Sequence, residues 1–322
     1  MKFRSLATIL AMLASTSGSS AQVKYPPETR NAALRYWTAF AEMQDPLADM
    51  ETRKLIDKTL AGKTAWSETT LGSTLDANAE AIQTMQRGAK LPECDWGLDD
   101  SQESSAQFTL FLRAHALAGL NTLEGMRRMA KGDSQGAVNT WLAGIHFSQD
   151  LARGGPLIFT LVATRMLLPN LRVLNENTRK GQLNEAQKKE VYAAVRALPE
   201  DGFDWGGAWG LEYVRGEHFL QELRTAANPG AAYEEMGVPV PKQGIPPSIQ
   251  EIQGFREYML AVQAALGESP AQAKTLIDGL EPKRRTFGDV EQNLIPGTRR
   301  LNSVRAELIT ARTELMQALG SR

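Results

Sequence analysis

The stretch that decides the fold is residues 105–153, SAQFTLFLRAHALAGLNTLEGMRRMAKGDSQGAVNTWLAGIHFSQDLAR. Plotted at 3.6 residues per turn, Arg113, Glu124, Arg127, Arg128 and Lys131 fall in one narrow sector, so the first arm predicts a helix with one wet stripe. The opposite side carries Phe108, Phe111, Leu112, His115, Ala118, Gly119, Thr122, Met126 and Met129, and Leu110, Leu117, Leu120 and Leu123 widen the apolar cover. A helix this apolar belongs at the centre of a protein. Gly119 and Gly125 each cost about 1 kcal/mol against Ala inside a helix, which predicts a neighbouring backbone passing close by. Lys131-Gly132-Asp133-Ser134 reads as a turn. Beyond it Ala137, Val138, Trp141, Leu142, Ile145, Ser148 and Ala152 form an inward stripe, and Gln135, Asn139, His146, Asp150 and Arg153 a wet one. Gly154-Gly155 stops this second helix, and Pro156 suits the start of the next.

Outward from the hairpin the same periodicity recurs, with no strand alternation. Residues 28–43 predict a helix with Ala33, Leu34, Trp37, Phe40 and Ala41 on one face. A second helix is expected over 49–61, and a third capped by Ser73. Residues 157–168 are almost wholly apolar but for Arg165, too short and too charged for a membrane span, which predicts a core helix kinked or broken at Pro169. Asn184 with Gln187 and Ser248 with Glu251 are capping boxes. Residues 228–248, with five Pro and three Gly, read as a long loop. The last helix begins near Thr298, where Leu301, Val304, Leu308, Ala311, Leu315 and Leu319 form a seam suited to the body or to a second copy. The fold class is therefore all-α, a multi-helix bundle or a short irregular array of helical hairpins.

Leu-Pro-Glu followed by Asp-Trp-Gly occurs at 91–97 and again at 198–206, which suggests two related halves, about 28–132 and 133–280. Both copies read as turn-rich connectors.

The first 21 residues are set apart. Lys2 and Arg4, the apolar run 6–14 and Ser19-Ser20-Ala21 have the three regions of a signal peptide, so residues 22–322 are expected as one domain in a periplasmic or secreted protein with no membrane span after cleavage. Cleavage would remove two of the 36 basic residues and none of the 37 acidic ones, leaving a net charge near −3 and no nucleic-acid footprint. Cys94, the one cysteine, has no intrachain partner and is expected to be buried.

Three histidines, none in an HxxxH or HExxH arrangement, and no second thiol give no basis for a metal site, and no nucleotide-binding or nucleophile motif supplies a cofactor. His115, inside an apolar face, should have a lowered pKa. Arg215, His218 and Glu222 share a helical stripe with Glu212 and Glu217 nearby. Asp95, Asp204, Glu212 and Glu217, with His218, are the candidates for carboxylate-dependent hydrolysis of a glycan or peptide, which needs two carboxyl groups across a cleft. Trp96, Trp205 and Trp209, with Arg215, are the candidate ligand contacts, because connector tryptophans are better placed to line an open groove than Trp37 or Trp141 on packed stripes.

At Tyr36-Trp37-Thr38-Ala39-Phe40, Cys94-Asp95-Trp96-Gly97-Leu98-Asp99, Ala130-Lys131-Gly132-Asp133 and Gly136-Ala137 the chain resembles a family of exported, all-helical bacterial proteins with no assigned activity. The hairpin at 106–153 also resembles a tetratricopeptide unit, although its first arm is too long and no 34-residue period follows. Neither resemblance implies a catalytic residue. The leading expectation is an exported, non-catalytic scaffold that binds a peptide, protein or envelope component between helix pairs, with an oligomer formed through the last helix as a further expectation.

Overall fold

A computed structural model describes residues 29–44, 49–97, 104–153, 155–235 and 247–320. Among these residues the chain forms fourteen helices and no strand. Residues 1–21, the proposed signal peptide, and the acidic stretch 99–103 lie outside them.

The hairpin is central. Helix α5 (Ser104–Ala130) and helix α6 (Ser134–Ala152) pack along each other and against α7 (Leu157–Arg179). The fold-back has two local causes: Gly132 takes a positive φ of 83°, and the Asp133 carboxylate accepts the Gly136 N–H at 2.9 Å to cap α6. The arms approach closely because Gly125 has no Cβ, but what lies against it is the Trp141 indole and not a backbone. That indole donates to the Thr122 carbonyl at 3.1 Å, so a fully buried Trp keeps its one polar atom satisfied. A polar ladder crosses the core beside it. Gln86 donates to Asn121, Asn121 to the Thr140 carbonyl, Thr122 to Asn170, and Asn170 to the Met166 carbonyl.

Before the hairpin come α1 (Ala32–Glu42), α2 (Met50–Leu60), α3 (Glu68–Ala77) and α4 (Ala79–Gly88); α1 and α4 form a pair laid against it. After α7 come α8 (Glu185–Arg196), α9 (Trp205–Thr225), α10 (Pro229–Glu235), α11 (Ile249–Leu266), α12 (Pro270–Arg284), α13 (Asp289–Leu294) and α14 (Thr298–Gly320). α9 packs on α11, α11 on α12, and α14 returns along α7. Both expected capping boxes form, at Asn184/Gln187 and Ser248/Glu251.

Several expectations are corrected. In α1 the buried face is Ala32, Ala33, Tyr36, Ala39 and Phe40, leaving Leu34 and Trp37 exposed. The reason is Asp150 of α6, expected on a wet face, which is buried and accepts the Tyr36 hydroxyl at 2.6 Å. Leu112, expected inward, is half exposed. Arg127, expected in water, is covered by α3, where it bonds Glu68 at 2.6 Å and Asp76 at 2.7 Å. The third helix starts after Ser67, with Ser73 inside it.

Pro169 does not break α7, which runs 23 residues. It is long and apolar enough to cross a membrane by length and composition, but most of it is buried by the rest of the protein, as in a core helix. Residues 229–235 of the expected loop are helical, with Tyr233 buried; 236–246 lie outside the described residues. The last helix begins where expected, and its seam packs on α7, α8 and α12 of the same chain, the first of its two expected placements.

The two Asp-Trp-Gly copies adopt different structures. Asn31 and Asp95 exchange hydrogen bonds at 2.8 and 2.9 Å, clipping the first copy to the start of α1. The second is not a connector: Asp204 caps α9, and Trp205 and Gly206 are its first residues.

Candidate functional site

Of the residues singled out in the sequence, Asp95 lies in the first connector, Asp204 caps α9, and Glu212, Arg215, Glu217 and His218 lie along α9. Asp95 accepts the Gly97 N–H at 2.9 Å, and Asp204 the Gly207 N–H at 2.8 Å. Glu217 is paired with Arg256 and hydrogen-bonded to Tyr213; the guanidinium holds its carboxyl below the usual range. His218 is exposed and lies 3.5 Å from Glu222.

Glu212 has a different task. Pro156, at the N-cap of α7, provides no side-chain cap, and Glu212 reaches across from α9 to accept the Leu157 N–H at 3.0 Å. A carboxylate there satisfies an otherwise orphaned amide and meets the positive end of the helix dipole. Burial nevertheless pushes its pKa up, while nearby Arg215 and the backbone donors pull it down.

The tryptophans expected to line an open groove are buried. Trp205 is 1% exposed and Trp209 0%. Their indoles donate to the carbonyls of Asp201 at 3.0 Å and Met259 at 2.9 Å. Trp96 is also buried, donating to the Asp150 carbonyl at 3.0 Å and stacking on Tyr36 and Phe40. Connector position did not predict exposure, because each indole found a buried carbonyl. The cluster also holds half-buried Cys94, whose thiol burial pushes up to about 12, well removed from a reactive thiolate. Tyr36, Phe40, Cys94 and Trp96 therefore meet at one packed cluster.

Two cavities among the described residues bear on a binding role. One of about 450 Å³ lies at the start of α9 and includes Asp204, Trp205, Glu200, Asp201, Glu268 and Arg305. Arg305, 4% exposed, bonds the Asp201 carboxylate at 2.6 Å and the carbonyls of Leu266 and Glu268 at 3.0 and 2.9 Å. These contacts make it a clamp between α14, the 199–204 turn and the end of α11.

The other cavity, of about 470 Å³, contains none of the sequence candidates except His115. Its floor is apolar: Phe111 and Leu112 from α5; Leu157, Ile158, Leu161 and Val162 from α7; Leu301 and Val304 from α14. Three arginines also line it, from three helices: Arg53 of α2, Arg165 of α7 and Arg300 of α14. Burial pushes the His115 pKa down, and Arg53 and Arg165 add to this, outweighing Asp57, so the imidazole is neutral at pH 7. Leu112 and Ile158, 50% and 40% exposed, form an apolar edge open to solvent. An apolar trough with a few polar groups at its margin is the form of a small-ligand site. A sequence signal existed: residues 157–168 are apolar all round, which is more than one core face needs, and Arg165 is the one charge among them.

Among the described residues no group of three or more His, Cys, Asp or Glu is placed to hold a metal ion. Comparisons of the chain with protein-family models, curated proteins and solved structures find no match.

Proposed function

We propose that this protein is an exported helical scaffold that binds an envelope component with an apolar body in the trough between α5, α7 and α14. The observation that carries the reading is an exposed apolar edge, Leu112 and Ile158, continuous with an apolar floor that three arginines border. Export rests on the basic, apolar and small-residue order of residues 1–21, and the resemblance to exported helical proteins is consistent with it. A carboxylate-dependent hydrolase has less support, since Asp95, Asp204, Glu212 and Glu217 already serve as caps or ion-pair partners and only Asp204 lines either cavity described above.

The test uses Nile red, an uncharged apolar dye. Saturable fluorescence enhancement is expected with the native chain and should be lost in Leu112→Glu and Ile158→Glu, which place a charge on the exposed edge and should leave helix content and melting unchanged. No enhancement with the native chain, or enhancement unaffected by both substitutions, would overturn the reading.

A further inference from the structure

The side chains around the trough have an unusual hydrogen-bonding character. Apart from His115, its polar side chains are all arginines, which donate and cannot accept. No carboxylate, hydroxyl or side-chain amide is among the lining residues. Among the described residues Arg165 reaches Glu307 at 3.8 Å, whereas Arg53 and Arg300 form no ion pair. A peptide would bring several backbone N–H groups against one side-chain acceptor at most, the neutral His115 ring, at a desolvation cost for each left unpaired. A ligand whose polar end only accepts would meet no such penalty. Resting on the binding role proposed above, we infer that the occupant is a free single-chain carboxylate, with its hydrocarbon on the floor around Phe111 and Leu161 and its carboxylate held by Arg53, Arg165 and Arg300.

Charge complementarity and size both favour this occupant over a larger one. Guanidinium groups pair with carboxylates in a planar, two-bond geometry. The apolar floor follows α7 from Leu157 to Arg165, roughly 12 Å at 1.5 Å per residue, which suits a medium-length chain.

The experiment is isothermal titration calorimetry with decanoate and decanol, both below their aggregation limits, on the native chain and on Arg53→Gln/Arg300→Gln. Decanoate should bind the native chain at least tenfold more tightly than decanol. The double substitution should bring decanoate to the level of decanol while leaving decanol affinity unchanged, and an unaltered melting temperature would show that the fold is intact. Affinity should rise roughly fourfold per added methylene until the floor is filled. Equal affinity for the two compounds would overturn the carboxylate and leave apolar binding standing. A preference for decanoate undiminished by the double substitution would overturn the arginines. If neither compound binds, the trough reading itself fails. Binding to phosphatidylglycerol vesicles without binding of decanoate would instead indicate a lipid surface, and would also overturn the inference.

Discussion

Tyr36 and Asp150 carry much of the contact between α1 and the central hairpin. The Tyr36 hydroxyl is held 2.6 Å from the carboxylate, and both groups are buried. Burial raises the Asp150 pKa, and the hydrogen bond from Tyr36 partly offsets it. Tyr36→Phe leaves that carboxylate without its donor, so it should cost about 1–3 kcal/mol in urea denaturation at pH 7. A loss below a few tenths of a kcal/mol would mean that solvent already reaches Asp150. His115 gives a prediction of opposite sign. Its folded pKa lies below the ordinary 6.5, so the unfolded chain binds the extra proton and stability falls as pH drops below about 6.5 and through the folded value. An NMR titration of the His115 ring should give a midpoint below 6.5. A midpoint at or above 6.5 would show that the ring is hydrated or paired.

Glu212 joins two elements, and its protonation decides how well. Because its folded pKa is raised above 4.5, its favourable contribution is present at acid pH and is lost as pH rises through the folded value. Glu212→Gln keeps an acceptor for the Leu157 N–H without the buried charge. It should therefore match or exceed the native chain in stability at pH 7, with the difference narrowing below pH 4.5. Glu212→Ala should lose about 1–2 kcal/mol, as other lost caps do. A Gln variant as damaged as the Ala variant would contradict the capping role. The α14 clamp is stronger. Arg305→Met leaves Asp201, 15% exposed, without its cation and should cost about 3–5 kcal/mol, measurable by thermal melting.

The local signals for these elements were legible where they are local in cause: the Gly132-Asp133 turn, the two capping boxes and the apolar stripes of α5 and α6. They failed where a distant element intervened. Asp150 shares its helical sector with Asn139 and His146, yet α1 covers it and leaves them wet. Pro169 is a helix breaker by local rules, but α7 is enclosed by α5, α6 and α14, and packing carries it through. Trp209 reads as a groove candidate because its partner, the Met259 carbonyl, lies fifty residues away in α11.

Across the whole molecule, the all-helical class and the central hairpin could be read from periodicity, whereas the candidate site could not. The trough is assembled from α2, α5, α7 and α14, whose lining residues run from Arg53 to Val304. Arg53, Arg165 and Arg300 are ordinary surface charges in the sequence and become a set only once α14 lies along α7. The most direct measurement is a methyl-NMR titration of the native protein with decanoate. Saturable shifts are expected at Leu112, Ile158, Leu161, Val162, Leu301 and Val304, with Leu266 beside the second cavity unmoved. Shifts confined to Leu266 and its neighbours, or no saturable shift at all, would contradict the account.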